Sequence, residues 1–120
     1  MLYKELSEKI IVCCLEVMKE LGSGFLESVY EKALLVALNQ KGLKARSEVP
    51  LQVRFKGEIV GEFFADIVVN DKIIVELKAV RALLPEHQAQ VINYLKATGI
   101  DVGLLVNFGT PKLEIKRLYR

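Results

Sequence analysis

The sequence predicts a mixed α/β fold in which two helices precede a sheet and a third helix interrupts it. Apolar residues recur at three- and four-residue spacing through the first 40 residues, which is the period of amphipathic helices. From Ala45 the chain changes to β-branched and aromatic residues with short breaks, a pattern typical of strands. A helical period returns after Pro85 and gives way to a last apolar run. The expected order is α-α-β-β-β-α-β, with a further strand over 113–119 left open.

The two opening helices are predicted over residues 3–21 and 26–40. A Gly-Ser-Gly sequence ends the first helix and Gly42 ends the second. Cys13 and Cys14 lie in the apolar stripe of the first helix. As sequence neighbours they have Cα atoms about 3.8 Å apart, which is too close for ordinary disulfide geometry. No His or Cys at metal-binding spacing accompanies them, so we interpret both as packed core residues.

The strands and the third helix follow from the second half of the pattern. Strands are predicted over 46–55, 58–69 and 72–79, with turns at Lys56-Gly57 and in the Asn70-Asp71-Lys72 region. The helix begins at Pro85 and ends at Gly99. The apolar run over 102–108 indicates a buried strand, and its position after a helix suggests a parallel crossover.

Composition indicates one compact domain over residues 1–120 with a mass of 13.5 kDa. The hydrophobic content of 52% is high for this length, so a second copy of the chain is expected to cover part of the apolar surface in a homodimer. Charges as early as Lys4 and Glu5, with Glu16 further on, argue against a signal peptide or a membrane span. A cytoplasmic location is therefore expected.

Net charge does not by itself indicate a nucleic-acid partner. The value of +2 is small beside the basic excess of domains that bind mainly through phosphates. A basic cluster does occur at the end of the chain, where Glu114 is outnumbered by Lys112, Lys116, Arg117 and Arg120. A solvated terminal strand with ordinary surface charges accounts for this cluster equally well.

The most apolar stretch of the chain, residues 63–80, carries charged residues in places where a protein core is expected: Asp66, Glu76 and Lys78. Side chains alternate between the two faces along a strand. This alternation places on one face Glu62, Phe64, Asp66 and Val68, and on one face of the next strand Ile74, Glu76 and Lys78. Whether the acids meet depends on the turn between the strands.

A two-residue loop at Asn70-Asp71 pairs Asp66 with Val75, whereas a three-residue loop over 70–72 pairs it with Glu76. We expect the three-residue loop, which brings the two acids about 4.5 to 5.5 Å apart at Cβ and Lys78 one step further along. Two carboxylates at that range raise each other's pKa unless a cation lies between them.

A divalent cation is the natural partner of such a pair. Carboxylate oxygens suit Mg²⁺ or Mn²⁺, and Lys78 can orient or deprotonate a water that the metal has acidified. The alternative is an ion-paired patch on a solvated face of the sheet. A buried pair of acids with one lysine is the less favourable form of that alternative.

The arrangement of Asp66 followed by Glu76-Leu77-Lys78 resembles the core motif of the PD-(D/E)XK nuclease superfamily, and the element order resembles its restriction-endonuclease-like fold. The residue before Asp66 is Ala65, where the superfamily motif has Pro. The sequence GFLESVY, residues 24–30, is similar to the signature of the GxxExxY family within that superfamily. The similarity extends from about Leu21 to Phe108.

The resemblance implies a set of site residues. In the superfamily an acid from the first core helix often completes the metal site, which implies that Glu27 joins Asp66 and Glu76, with the Leu77 carbonyl as a further oxygen ligand. Glu27 also lies at a helix N-terminus, where the macrodipole alone favours an acid.

The helix after the lysine strand carries a further similarity. Gln90 and Tyr94 are four residues apart and resemble a motif of exonuclease-like members, where it helps to position the substrate or the active site. A Tyr and a Gln on a partly buried helix are otherwise routine. His87 lies on the same strip, and for it a surface or capping role is as open as a part in the site.

The function implied by the resemblance is that of a nuclease which uses Mg²⁺ or Mn²⁺ to hydrolyse phosphodiester bonds in DNA or RNA. The alternative is a catalytically inactive module on the same fold that binds nucleic acid or protein. A redox or acyl-transfer enzyme has little support, because the chain has no Ser-His-Asp order, CxxC, Walker loop or dinucleotide glycine pattern.

Overall fold

The computed structural model describes residues 2–120. Its elements, in chain order, are α1 (Lys4–Leu21), α2 (Glu27–Gln40), β1 (Ala45–Phe55), β2 (Glu58–Val69), β3 (Ile73–Lys78), α3 (Pro85–Thr98), β4 (Val102–Asn107) and β5 (Glu114–Tyr119). Each predicted helix and strand is present, and the strand that the sequence left open at the end of the chain forms as β5. The predicted α+β fold with a mixed sheet is confirmed.

The five strands form one sheet in the order β1-β2-β3-β4-β5. Neighbouring strands are antiparallel except β3 and β4, which are parallel. Because α3 connects these two strands, the predicted crossover is confirmed.

Two apolar layers cover the faces of the sheet. One contains buried residues of α1 and α2 together with Val75 and Leu77, and the other contains Val91 and Leu95 of α3 together with Ile74. Adjacent residues of β3 thus belong to opposite layers, as strand geometry requires. The two cysteines are fully buried in the first layer, which confirms their role as core residues.

Close packing of α3 on the sheet depends on Gly103 in β4. A Cβ atom at this position would lie 2.6 Å from Cγ1 of Val91, well inside van der Waals contact. The absence of a side chain therefore lets α3 approach the strand directly.

The paired strands β1 and β2 have 11 and 12 residues, whereas each of the other strands has six. Their outer part, residues 50–64, is called the hairpin arm here. Large apolar side chains are exposed along it: Phe55, Ile59, Val60, Phe63 and Phe64. The pairing moves from Arg54↔Ile59 to Val53↔Gly61, so Val60 is an extra residue in a β-bulge.

Part of the basic cluster at the end of the chain is engaged within the molecule. Arg120 forms an ion pair with Asp101 at 2.7 Å, and the Arg117 guanidinium donates hydrogen bonds to the Ser7 hydroxyl and the Leu2 carbonyl. These contacts fasten β5 to β4 and α1. Lys112 and Lys116 are exposed.

Candidate metal centre

The turn between β2 and β3 sets the position of the two strand acids. Residues 70–72 form the connection, and the pairs Val69↔Ile73 and Ile67↔Val75 follow from it. Continuation of this register places Asp66 opposite Glu76. The prediction of a three-residue turn is confirmed.

Asp66 and Glu76 are locked to each other through main-chain groups. The Asp66 N–H donates to Oε1 of Glu76 at 2.8 Å, and the Leu77 N–H donates to Oδ2 of Asp66 at 2.9 Å. These two bonds lie just beyond the last paired residues of the β2–β3 ladder, so side-chain carboxylates replace main-chain carbonyls as acceptors there. These bonds hold both carboxyl groups in fixed positions.

At Asp66, the side chains of β2 switch from one apolar layer of the sheet to the other. Phe63 contacts Tyr94 of α3 and Ala65 is buried in the α3 layer, whereas Ile67 belongs to the layer of α1 and α2. Residues two apart share a face in a regular strand, so the strand turns sharply about its own axis at this point. The predicted common face of Phe64, Asp66 and Val68 is therefore wrong: Val68 is buried against α3, whereas Phe64 is exposed.

Asp66 also belongs to a second group of acids. Carboxylate oxygens of Glu31, Glu48 and Asp66 all lie within 4.8 Å of one another. They come from α2, β1 and β2, three separate elements. Neither Glu31 nor Glu48 belongs to the set that the sequence pattern indicated.

Glu48 reaches this cluster through an unusual backbone conformation. Its neighbours pair as Ser47↔Ile67 and Val49↔Ala65, which places Glu48 opposite Asp66 across the hairpin. Its φ of 49° lies in the left-handed region, which is uncommon for a residue with a Cβ atom. A kink in β1 thus coincides with the twist of β2.

Glu27, the helix acid implied by the resemblance, lies one helical turn before Glu31 and is exposed. Its pKa is raised by partial burial, with the Lys78 charge opposing this effect and the charges of Asp66 and Glu48 adding to it. Glu27 therefore faces the same group of charges, although it is not among the three acids that approach within 4.8 Å. A signal for Glu31 exists in the sequence, since it follows Glu27 at the i+4 spacing of one helix face.

Without a bound cation, the close approach of these carboxyl groups is electrostatically unfavourable for the folded protein. Glu76 is 3% exposed, and burial followed by the charge of Asp66 raises its pKa to about 9. The pKa of Glu31 is raised to about 8, first by burial and then by its contacts with Glu48 and Asp66. Both effects have the sign expected for carboxyl groups that share one low-dielectric site without a sufficient counter-charge.

Lys78 is the basic side chain of this region. Its charge lowers the pKa of both Glu27 and Glu76, so it lies within electrostatic range of each. The segment after it is fastened by Asn107, which is fully buried in β4. The Asn107 side chain donates to the Val80 carbonyl and accepts from the Val80 N–H, both at 3.0 Å. Asn107 thereby holds the end of β3 in place, a role that no sequence motif indicated.

The predicted residues of α3 divide into two roles. Gln90 donates a hydrogen bond to the Tyr94 hydroxyl at 3.2 Å. The pKa of Tyr94 is raised by burial and then by the charge of Glu76. His87, in contrast, accepts a hydrogen bond from the Leu84 N–H at Nδ1, which is a capping role at the start of the helix.

The signature residues Gly24 and Tyr30 shape the connection between α1 and α2. Gly24 has a φ of 113°, which favours glycine. Tyr30 is fully buried and stacks on Phe108 with ring centroids 4.6 Å apart. Its hydroxyl donates to the Gly22 carbonyl and accepts from the Phe25 N–H. These contacts set the start of α2, from which Glu27 and Glu31 project.

The fold and the strand acids are those of a nuclease-like domain, and a comparison with family models identifies the class. Residues 4–118 match the model of the PD-(D/E)XK nuclease superfamily. The chain belongs to this superfamily, whose members are mostly metal-dependent phosphodiesterases.

Among solved structures, the chain is similar to the crystal structure of SSO0001, with a TM-score of 0.65 and 20% sequence identity. The match covers 78% of this chain and 49% of SSO0001, so the chain spans about half the length of that protein. At this identity the likeness concerns the fold. A search of curated proteins gave no match. Within residues 2–120, no helix is long and apolar enough to cross a membrane.

Proposed function

We propose that this chain is a Mg²⁺- or Mn²⁺-dependent nuclease of the GxxExxY family that hydrolyses phosphodiester bonds in DNA or RNA. The observation that supports this most directly is the position of Asp66. Its carboxylate is bonded to the backbone of β3 beside Glu76 and at the same time lies within 4.8 Å of Glu31 and Glu48. A purely structural role does not account for so many acids around one point, because each added charge raises the free energy of the folded protein.

The donor set fits a hard divalent cation. Carboxylate oxygens from three elements converge, and Mg²⁺ and Mn²⁺ prefer oxygen ligands. Asp66 and Glu76 would hold the ion, together with the Leu77 carbonyl, Glu48 and an acid of α2, Glu27 or Glu31. When bound, the ion would acidify a water and stabilise the charge on the scissile phosphate.

The other residues of the site act on the substrate and the water. Lys78 extends from the same strand as Glu76 and lies within electrostatic range of the acids, so its ammonium would orient the attacking water or neutralise a phosphate oxygen. Tyr94, held by Gln90, would position the substrate beside the acids.

A second candidate is a catalytically inactive module that binds nucleic acid or protein. The exposed apolar side chains of the hairpin arm favour it, because such a patch is typical of interaction surfaces. The same patch is compatible with the homodimer expected from composition. The homodimer, the single domain over residues 1–120 and the cytoplasmic location stay predictions.

Metal binding and cleavage are tested on the same proteins. Thermal unfolding of the wild type with and without Mn²⁺ or Mg²⁺ should show a stabilisation that is lost in Glu76→Ala. Single-stranded and duplex DNA and RNA are then incubated with the wild type, with Lys78→Ala and with Lys19→Ala, a matched change of an exposed lysine on α1. The nuclease proposal predicts metal-dependent cleavage that Lys78→Ala lowers and Lys19→Ala leaves unchanged. Equal, metal-independent activity of all three proteins would refute it.

A further inference from the structure

A groove of about 1040 Å³ runs between α3 and the hairpin arm. We call it the α3 groove. On the strand side it is lined by Gln52, Arg54 and Phe63, and on the helix side its residues include Gln90 and Tyr94. The arm reaches over α3 because β2 twists at Asp66, so the groove and the acids arise from the same feature of the backbone.

The α3 groove leads to the candidate metal centre. Phe63 lines the groove and lies on β2 three residues before Asp66, about 10 Å along the strand. Tyr94, whose ring contacts Phe63, also lines the groove. Its hydroxyl is bonded to Gln90, a further lining residue. A chain-like ligand that occupied the groove would therefore pass the acids at one end.

The side chains of the α3 groove match the parts of an unpaired nucleotide. Phe63 is 44% exposed and tilts against Tyr94 with ring centroids 5.8 Å apart, which leaves an aromatic surface open to a ligand. The cations Arg54 and Lys96 line the same space and complement a phosphate backbone, against one lining acid, Glu86. The remaining polar lining consists of amides, which can both donate and accept hydrogen bonds: Gln52, Gln90 and Asn93.

We infer that the α3 groove binds single-stranded nucleic acid, with an unpaired base stacked on Phe63 and the backbone beside Arg54 and Lys96, and delivers the strand to the acids. This inference rests on the proposed nuclease function and adds to it the strandedness of the substrate. A duplex keeps the faces of its bases stacked inside the helix, whereas a single strand can place a base on an aromatic ring. An aromatic platform beside cationic groups is the arrangement that proteins use for single strands.

The test measures binding of a fluorescein-labelled oligonucleotide of about 12 nucleotides, single-stranded or annealed to its complement. Fluorescence anisotropy is recorded in EDTA, so that hydrolysis does not occur. The wild type should bind the single strand more tightly than the duplex. Phe63→Ala should weaken single-strand binding about tenfold or more, since stacking on an aromatic side chain commonly contributes that much. Phe63→Tyr should retain it.

Phe64→Ala is the matched control. Phe64 is the next residue of β2, is 58% exposed and does not line the groove, so its removal should leave single-strand affinity unchanged. Asn93→Glu, on the exposed side of α3, adds a second acid to the lining of the groove and should also weaken binding. Lys96→Gln should reduce the slope of log K against log salt by about 0.7, the effect of one phosphate contact.

Equal losses in Phe63→Ala and Phe64→Ala, or tighter binding of duplex than of single strand, would overturn the inference. It would also be overturned if Phe63→Ala converted a dimer to a monomer in light scattering without loss of oligonucleotide binding, because a second copy of the chain would then occupy the groove. If single-strand binding depends on Phe63 but no metal-dependent cleavage occurs, the inference stands and the nuclease function fails. If cleavage depends on Glu76 but not on Phe63, the nuclease function stands and the inference about the α3 groove fails.

Discussion

The substitution Glu76→Gln tests whether Glu76 is kept for metal binding, at a cost in stability, or whether it stabilises the fold. Gln keeps the oxygen that accepts from the Asp66 N–H and gains an amide that can donate to the Asp66 carboxylate, as protonated Glu76 does. It cannot ionise. In the absence of metal we therefore expect the variant to be more stable than the wild type, although it loses a proposed metal ligand.

The size of this effect follows from linkage. The unfolded chain releases the Glu76 proton near the ordinary pKa of 4.5, whereas the folded protein keeps it until the pKa of about 9. Wild-type stability therefore falls as the pH rises through this window. At pH 7, two and a half pH units above 4.5, the difference corresponds to about 3 kcal/mol, and at pH 5 to about 1 kcal/mol. Glu76→Gln should remove this loss.

Urea unfolding in EDTA at pH 5, 7 and 8 measures the difference, with Glu58→Gln as the control at an exposed position of β2. The stability gain of Glu76→Gln should grow with pH, and Mn²⁺ should stabilise the wild type but not the variant. A gain that does not change with pH, or a variant that is destabilised at every pH, would refute the burial and charge argument. Equal stabilisation of both proteins by Mn²⁺ would remove Glu76 from the metal site.

Three further changes test the supporting structure. Tyr30→Phe keeps the stack on Phe108 but removes the hydroxyl that bonds two main-chain groups, so urea unfolding should show a loss of about 1–3 kcal/mol. Gly103→Ala should cost about 1–3 kcal/mol by overpacking, and the double variant with Val91→Ala should recover part of it in a thermodynamic cycle. Asn107→Ala should speed amide hydrogen exchange at Val80 and lower cleavage, because it frees the segment after Lys78. Unchanged stability in the first two variants, or unchanged exchange in the third, would contradict these assignments.

The register of β2 against β3 could be predicted from the sequence, because the turn length and the spacing of Asp66 and Glu76 depend only on local residues. The position of Glu48 was not. A two-residue turn at Lys56-Gly57 pairs Phe55 with Glu58, and without interruption this register sets Ser47 opposite Asp66. The extra residue Val60 moves the pairing by one and brings Glu48 there instead. A single β-bulge in a run of β-branched and aromatic residues does not change the local composition, so the residue pattern does not reveal it.

The contribution of Glu31 was missed for a different reason. The family signature singles out Glu27, and both acids lie on one side of α2, so the sequence indicates the helix face but not which turn of the helix approaches Asp66. That choice depends on how α2 packs, which Tyr30 decides through its stack on Phe108 and its bonds to the preceding loop. The sequence position of a buried aromatic residue does not show which residue it packs against.

The twist of β2 at Asp66 connects the site with its surroundings. A regular ladder at this point would use the main-chain groups of Asp66 and Leu77 for pairing, and their N–H groups would not be free to hold carboxylates. A regular ladder would also keep Phe63 and Ile67 on one face and point the hairpin arm away from α3. Because the strand twists there, the acids are fixed by main-chain bonds and Phe63 is turned toward Tyr94. The same local departure from strand geometry thus places fixed carboxyl groups near an open aromatic surface, the two features on which the proposed nuclease function and the single-strand inference rest.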